Sequence, residues 1–283
     1  MPYIQVDDGV QIYYEERGAG EKYIFSSRSR IEHASSYTAA LADLGYHVIE
    51  IQLRGYGKST HVTEDYGMKW YDIWASDIVK AAKALGVEKF VYTGVSHGSG
   101  VGWHIIRRQP EVLIGFAGVV CGPHSKDGHD TGAERQRTLD NALDEEKWKA
   151  YSLERYHRDC ANPPSYMNEE ELAEFIENAK EKYEDFLNME PAERLISPKK
   201  PFPDLSTEEE LIRELEKINL PCIFLGGMFD PISTTANMVR TGSAVKGSKT
   251  ILYQDSDHGL CKRYPKQIAR DIDLFLQEKR VFE

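Results

Sequence analysis

A serine flanked by glycines is the residue pattern with the clearest chemistry in this sequence. Gly94, Ser96 and Gly98 form a G-x-S-x-G motif between an apolar, strand-like stretch and a segment with helical periodicity. A tight strand-to-helix turn would strain the backbone of the serine and project its hydroxyl, and glycines on either side avoid collisions with neighbouring elements. The motif predicts that Ser96 is a nucleophile and that the N–H of His97, at the start of the helix, faces a developing oxyanion.

A serine hydroxyl is a weak nucleophile unless a base takes its proton. His258 follows a predicted strand at 250–254, and Asp230 follows another at 221–227. Loops at the carboxyl ends of parallel strands gather at one edge of a sheet, so we expect both side chains to reach Ser96. The sequence therefore predicts a chain of nucleophile, imidazole base and orienting carboxylate, in the order Ser, Asp, His.

These residues need a sheet to hold them, and the sequence around them alternates strands with helices. Asp8-Gly9 is a strong turn signal between two alternating segments, which predicts an opening hairpin. Strand and helix patterns then alternate, which is typical of an α/β fold with a mostly parallel sheet. Further strands are predicted at 22–26, 47–52, 89–94 and 114–121, and helices at 71–85, 97–108, 234–245 and 266–279.

The middle of the chain has a different character. Glu, Lys, Arg and Tyr dominate, and amphipathic helical stretches such as 169–187 replace the strand signals. The sequence predicts a helical insertion at 123–205 that divides the core into 1–122 and 206–283. Ser206 and Glu209 are predicted to form a capping box at the first helix after it.

On these motifs the sequence resembles the capped members of the α/β-hydrolase superfamily, in particular its esterase, lactonase, C–C hydrolase and epoxide hydrolase branches. The matching segments are DGVQIYYEERG near the start, LRGYGKS after the strand at 47–52, the serine motif, GGMFDP and DHG. The resemblance implies a central, mostly parallel sheet flanked by helices with a helical cap. It also implies a catalytic triad of Ser96, Asp230 and His258, with His97 as one oxyanion donor.

The segment after the third strand departs from the family pattern. Members usually have His-Gly before the residue that supplies the second oxyanion donor, whereas this chain reads Phe25-Ser26-Ser27-Arg28. Counting back from Gly45 without gaps makes Ser27 the second donor, and a slip of one residue would make it Arg28. The serine hydroxyls are a further source of donors.

The resulting hypothesis is a serine hydrolase that cleaves an ester, lactone or similar activated carbonyl of a small, partly apolar molecule through an acyl-serine, without a cofactor. Two alternatives stay open: a C–C bond hydrolase acting on a keto substrate, and a non-catalytic small-molecule receptor on the same fold. Epoxide and haloalkane hydrolysis are set aside because those members carry a carboxylate where Ser96 stands. Asp255 and Asp257 are interpreted as solvated turn residues rather than as the triad acid.

Composition limits the partners. A net charge of −11 without a basic stripe argues against nucleic acid and anionic membranes, and no apolar run is long enough to span a bilayer. The four cysteines form no C-x-x-C pair and the start lacks a signal-peptide pattern, which favours a cytoplasmic protein. His124, Asp127, His129 and Asp130 match no zinc spacing, so no metal is predicted. A small-molecule substrate is the expected partner, and a homodimer is left open.

Overall fold

The structure is a computed structural model, and it describes residues 2–29, 36–62, 64–126, 133–161, 163 and 167–283. The chain forms two compact units. The first comprises Met1–His61, Tyr66–Asp130 and Pro198–Glu283, and the second comprises Val62–Asp65 and Thr131–Ser197. Residues 123–126 and 198–205, which the sequence analysis assigns to the insertion, belong to the first unit.

An eight-stranded sheet is the centre of the first unit, with the strand order β1-β2-β4-β3-β5-β6-β7-β8. The pairs β1–β2 and β2–β4 are antiparallel, and the neighbouring pairs from β4 through β3 to β8 are parallel. This confirms the predicted mostly parallel sheet. The strands are β1 (Tyr3–Asp7), β2 (Val10–Arg17), β3 (Tyr23–Arg28), β4 (His47–Gln52), β5 (Phe90–Val95), β6 (Leu113–Val119), β7 (Cys222–Gly227) and β8 (Lys249–Tyr253).

Helices cover both faces of this sheet. The helices of the first unit are α1 (Ser36–Asp43), α2 (Trp70–Ala84), α3 (His97–Arg108), α8 (Glu208–Leu215), α9 (Thr235–Ala244), α10 (Leu260–Arg263) and α11 (Pro265–Glu278). On one face α1 and α11 pack together over buried strand residues such as Ile24 and Val91. On the other, α3 packs so closely that a Cβ on Gly102 would lie 2.5 Å from the ring of Phe116. The sheet is therefore buried between two layers of helices, and its loops emerge at its edges.

Chemistry at the ends of the elements explains several boundaries. Gly9 adopts φ +70° in the turn between β1 and β2, a conformation that favours glycine. The helix α8 begins with a capping box formed by Thr207 and Glu210. The sequence analysis put this box one residue earlier, at Ser206 and Glu209. The correction arises because both pairs match the pattern, and only the Thr207 hydroxyl accepts the N–H at the third helical position.

The second unit is helical, as the charged amphipathic pattern of this region predicts. It contains α4 (Ala133–Asn141), α5 (Glu145–Ala161), α6 (Glu169–Leu187) and α7 (Pro191–Arg194). Trp148 is fully buried, and its ring centroid lies 4.3 Å from that of Phe186. The guanidinium of Arg194 lies over the indole, 4.6 Å from its centroid. Tyr151 is also buried in this cluster. These two aromatic residues thus form the core of their own unit. None of the helices in the described part of the chain is long and apolar enough to cross a membrane.

Candidate active site

The turn between β5 and α3 has the backbone strain that the serine motif predicts. Ser96 adopts φ 52° and ψ −109°, a conformation that a residue with a side chain rarely takes. A Cβ on Gly94 would lie 2.4 Å from the carbonyl carbon of Gly98, and a Cβ on Gly98 would lie 2.5 Å from the carbonyl oxygen of Ser27. Only glycines fit at these positions, and the packed turn holds the serine between them.

Three side chains from three loops meet at the carboxyl edge of the sheet. The Oγ of Ser96 lies 3.0 Å from Nε2 of His258, and Nδ1 of His258 lies 2.8 Å from Oδ2 of Asp230. The sequence analysis selected these residues from their positions after β5, β7 and β8. The structure brings all three together in one hydrogen-bonded chain.

Backbone hydrogen bonds fix the carboxylate of Asp230. Its Oδ1 accepts the N–H groups of Ile232 at 2.8 Å and Ser233 at 2.9 Å, and its side chain is fully buried. The N–H of Phe229 donates to the carbonyl of Ser256 at 2.9 Å, which joins the loop of the acid to the loop of the histidine. The Oδ2 atom is thereby left to accept from His258.

This arrangement sets the tautomer of the imidazole. A carboxylate only accepts hydrogen bonds, so Nδ1 of His258 donates to Asp230. The neutral ring then presents the lone pair of Nε2 to the hydroxyl of Ser96. The geometry is suited to withdrawing a proton from the serine and to stabilising the imidazolium that forms. The side chain of His258 is 26% exposed, so its ring is accessible as well as anchored.

The two neighbouring aspartates are engaged elsewhere. Oδ2 of Asp255 accepts from the hydroxyl of Tyr264 at 2.5 Å and from Arg263 at 3.3 Å. Oδ1 of Asp257 accepts the N–H of Gly259 at 2.7 Å. Both carboxylates therefore accept hydrogen bonds from groups other than the imidazole of His258, and they are more fully engaged than the solvated turn residues of the sequence interpretation.

The hydroxyl of Ser27 is committed to another partner. Tyr92 donates its single hydroxyl proton to the carbonyl of Gly98 at 2.8 Å, so the Oγ of Ser27, 2.6 Å from the tyrosine oxygen, must donate to it. This corrects the expectation that the hydroxyl of Ser27 could donate to an oxyanion. Ser27 itself lies inside β3, paired with Ile51 and Gly94, and its backbone N–H as second donor stays a prediction.

Sequence reasoning missed the tyrosines that brace the serine turn. Tyr92 joins β3 to the first turn of α3 through Ser27 and Gly98. The hydroxyl of Tyr71 lies 2.9 Å from Nδ1 of His97, within hydrogen-bond distance, and burial raises the pKa of this tyrosine. Both tyrosines lie in regular elements, where sequence periodicity indicates the buried face but not the atom that a hydroxyl contacts.

Other candidate residues of the sequence analysis have different outcomes. Asp127, His129 and Asp130 lie outside the described residues, and so does the loop after Ser29 that would follow the oxyanion segment. Among the residues that the structure describes, no group of three or more His, Cys, Asp or Glu side chains could hold a metal ion. His124 is described and belongs to no such group.

Curated proteins similar to this chain extend over nearly all of it. A non-heme haloperoxidase from Rhodococcus erythropolis is 22% identical over 286 aligned positions, covering 98% of this chain and 100% of the relative. An AB hydrolase superfamily protein, YisY of Bacillus subtilis strain 168, is 22% identical and covers 91% of this chain and 92% of the relative. The chain matches no protein-family model.

Solved structures show the same architecture. The enol-lactonase of Burkholderia xenovorans LB400 superimposes with a TM-score of 0.73 at 15% identity, covering 98% of this chain and 100% of that chain. An esterase from Exiguobacterium antarcticum superimposes with a TM-score of 0.67 at 18% identity, covering 97% and 98%. The chain has the α/β-hydrolase fold, and its curated and structural neighbours point to the α/β-hydrolase superfamily.

Proposed function

We propose that this chain is a serine hydrolase that cleaves an ester, lactone or similar activated carbonyl, with Ser96, His258 and Asp230 as its catalytic triad. The observation that carries the proposal is the hydrogen-bonded chain from Ser96 through His258 to Asp230, built on a strained turn. Neither strain nor a buried carboxylate aimed at an imidazole is needed to stabilise the sheet. Together they favour a nucleophile held ready for attack.

The first half of the reaction forms an acyl-serine. His258 takes the hydroxyl proton of Ser96 as its oxygen attacks the carbonyl carbon, and the electron pair of the carbonyl moves to the oxygen. When the tetrahedral intermediate collapses, the bond to the leaving oxygen breaks and His258 returns the proton to it. Asp230 keeps the ring oriented and stabilises its positive charge throughout.

Water completes the second half. His258 takes a proton from water, the hydroxide attacks the acyl carbon, and the proton passes to the oxygen of Ser96 as the acid leaves. The N–H of His97, at the N-terminus of α3, is the first oxyanion donor in this proposal. The backbone N–H of Ser27 is the second, as the resemblance implies.

Apolar side chains beside the triad acid support a partly apolar substrate. Met228, Phe229 and Ile232 flank Asp230, and each is at least 44% exposed despite its hydrophobic character. Exposed apolar groups next to a reactive centre are typical of surfaces that contact a ligand. The names of the similar proteins, which include lactonase and esterase, agree with a carbonyl substrate of this kind.

Covalent labelling tests the proposal. A fluorophosphonate probe is expected to attach to the wild-type chain with one equivalent at Ser96, located by peptide mass spectrometry. Ser96→Ala is expected to abolish both labelling and the hydrolysis of 4-nitrophenyl butyrate, whereas Ser206→Ala, at an exposed serine of the same chain, keeps both. A folded wild-type chain that neither labels nor hydrolyses any activated ester would contradict the enzyme and favour a receptor.

A further inference from the structure

The chain leaves β3 beside the serine turn. In the sheet β3 lies between β4 and β5, and β5 leads to Ser96. Ser27 pairs with Gly94 of β5, and Ser29 and Ser96 each lie two residues beyond this pair. The first residue after β3 therefore emerges next to the proposed nucleophile.

The direction of the Ser29 N–H follows from its peptide group. The carbonyl of Arg28 accepts the N–H of Leu53, which directly follows β4, at 2.9 Å. This carbonyl and the N–H of Ser29 belong to one peptide group, and no peptide bond in the described part of the chain is cis. In a trans peptide group the two bonds point in opposite directions. The N–H of Ser29 therefore points away from β4, to the side on which β5 and Ser96 lie.

Gln52 holds the peptide group on the other side of Ser29. It is the last residue of β4 and is fully buried. Its Nε2 donates to the carbonyl of Ser29 at 3.2 Å, and its Oε1 accepts the N–H of Lys58 at 2.7 Å. A backbone N–H only donates, so the contact with Lys58 identifies Oε1 and leaves Nε2 to donate to Ser29. Both peptide groups that flank Ser29 are thus tied to the end of β4.

The loop after β4 fixes this amide in turn. Gly57 adopts φ +53°, and a Cβ on it would lie 2.2 Å from Nε2 of Gln52. The hydroxyl of Ser59 donates to the carbonyl of Gln52 at 2.7 Å. The side chain and the backbone of Gln52 are therefore both held, which makes its amide a rigid support for Ser29.

Glu50 ties the same segment to β4. It lies two residues before Gln52, on the same face of the strand, and is 1% exposed. Its Oε1 lies 3.3 Å from Nη2 of Arg28. Pairing with β4 already keeps β3 in the sheet as far as Arg28. The bond from Gln52 is therefore not needed for the strand, and it acts on the residue beyond it, Ser29.

We propose that Gln52 is a positioning residue for the proposed serine hydrolase and holds Ser29 so that its N–H faces the oxyanion formed at Ser96. This inference rests on the proposed function and deepens it. The N–H of Ser29 comes two residues after that of Ser27, the donor that the resemblance implies, and so lies nearer to the turn. A donor that is fixed before the charge develops stabilises the transition state without reorganisation.

Replacing the amide tests this role. Gln52→Met keeps the length of the side chain but can neither donate to Ser29 nor accept from Lys58. We expect kcat for 4-nitrophenyl butyrate to fall about 10- to 100-fold with KM within about threefold, because an oxyanion donor acts on the transition state. The inhibition constant of 1,1,1-trifluoropentan-2-one, which forms a tetrahedral adduct with a reactive serine, should rise by a similar factor. A purely structural residue would change neither value per folded molecule.

Ser59→Ala is the matched control. Its hydroxyl donates to the carbonyl of Gln52 and accepts the N–H of Tyr13 at 2.9 Å. The variant therefore loses hydrogen bonds in the same loop but keeps the amide contacts of Gln52. We expect kcat and the inhibition constant to stay within about threefold of the wild type, even where thermal melting shows a comparable loss of stability. If Ser59→Ala lowers kcat as much as Gln52→Met, the positioning role is wrong.

Ser29→Pro removes the N–H itself. The preceding Arg28 belongs to β3, and an extended conformation suits a residue before proline. We expect kcat to fall about 10²- to 10³-fold. Adding Gln52→Met should lower it by less than about threefold more, because both changes act on one donor. Effects that multiply fully, or a folded Ser29→Pro chain with kcat within threefold of the wild type, would overturn the inference. Where Gln52→Met does not fold, Ser29→Pro decides alone.

The wild type separates this inference from the proposed function. A wild type that labels at Ser96 and hydrolyses the ester, with Gln52→Met and Ser29→Pro equal to it in kcat and in the inhibition constant, keeps the hydrolase and excludes the positioning role. A folded wild type that neither labels nor hydrolyses excludes both.

Discussion

Two histidines of this chain make the same hydrogen bond to a carboxylate through Nδ1 and differ in what the other ring nitrogen contacts. Nδ1 of His258 lies 2.8 Å from Asp230, and Nδ1 of His104 lies 2.7 Å from Asp72. In both pairs the carboxylate accepts, so each neutral ring carries its proton on Nδ1. An imidazole with a carboxylate partner is therefore not in itself a sign of catalysis.

The other ring nitrogen distinguishes the two pairs. Nε2 of His258 faces the hydroxyl of Ser96 at 3.0 Å, a group that can give up its proton. Nε2 of His104 accepts the backbone N–H of Phe202 at 3.2 Å, a group that cannot. The first pair can move a proton, whereas the second can only hold a segment of backbone in place.

The surroundings reinforce the difference. His104 is 1% exposed, and its ring stacks on Tyr71 and Phe202 with centroids 5.2 and 5.6 Å apart. Phe202 adopts φ 59°, so its hydrogen bond to His104 helps to hold a strained residue. The comparison predicts that loss of His258 affects the reaction and that loss of His104 affects stability.

Replacing His258 is expected to have the largest effect. His258→Ala removes the base, and we expect kcat/KM for 4-nitrophenyl butyrate to fall by about 10⁴-fold or more, or about 5.5 kcal/mol of transition-state stabilisation. The ring is partly exposed, so the free energy of unfolding in urea should change by less than about 1 kcal/mol. Activity within tenfold of the wild type would remove His258 from the proposed triad.

Asp230→Asn keeps the shape of the acid but cannot hold the imidazolium. An amide nitrogen facing Nδ1 also favours the wrong tautomer, so we expect kcat to fall by about 10³- to 10⁴-fold. Fluorophosphonate labelling of Ser96 should slow in parallel. Asp255→Asn, at the neighbouring turn, is the matched control and should change kcat by less than about threefold, since its carboxylate contacts Tyr264 and Arg263. The reverse ranking would assign the acid to Asp255.

Much of the fold and of the candidate site could be predicted from the sequence. The order of strands and helices, the turn at Ser96 and the positions of Asp230 and His258 follow from periodicity and from the rule that parallel strands end at one edge. The fold is confirmed, and the structure brings those three residues together. Each of these residues follows the end of a strand, so its position in the sequence is enough to place it at the carboxyl edge of the sheet.

His104 shows what the sequence could not reveal. It lies mid-helix, and its partner Phe202 is 98 residues away in a proline-rich segment without a motif. The same holds for Tyr92 and its link to Ser27. Such contacts depend on the packing of side chains across elements, which periodicity does not encode. The loop after β3 lacks the family's His-Gly, so even the resemblance leaves the second oxyanion donor a prediction.

Replacing His104 tests the structural half of the comparison. His104→Ala removes a buried ring and leaves the N–H of Phe202 unsatisfied, so we expect the chain to lose about 2 to 4 kcal/mol of unfolding free energy. The value of kcat per folded molecule should stay within about threefold of the wild type. His104→Phe keeps the stacked ring without the hydrogen bonds and should lose less. A large loss of kcat in a stably folded His104→Ala chain would place this pair in the reaction after all.

The smallest effect is expected at the carboxylate of the second pair, and its size depends on pH. A hydrogen bond from His104 lowers the pKa of Asp72 to about 2, together with two hydrogen bonds from Arg108 at 3.1 and 3.0 Å. Because this pKa is below that of the unfolded chain, ionised Asp72 stabilises the fold above about pH 4, and the stabilisation is lost as the pH falls towards 2. Asp72→Asn should therefore lower the unfolding free energy at pH 7 by about 1 kcal/mol and flatten its decline between pH 4 and 2. The exposed Asp43→Asn is the control, and urea unfolding from pH 7 to 2 is the measurement. If the unfolding free energies of the wild type and Asp72→Asn fell in parallel with pH, the charge of Asp72 would not contribute to stability.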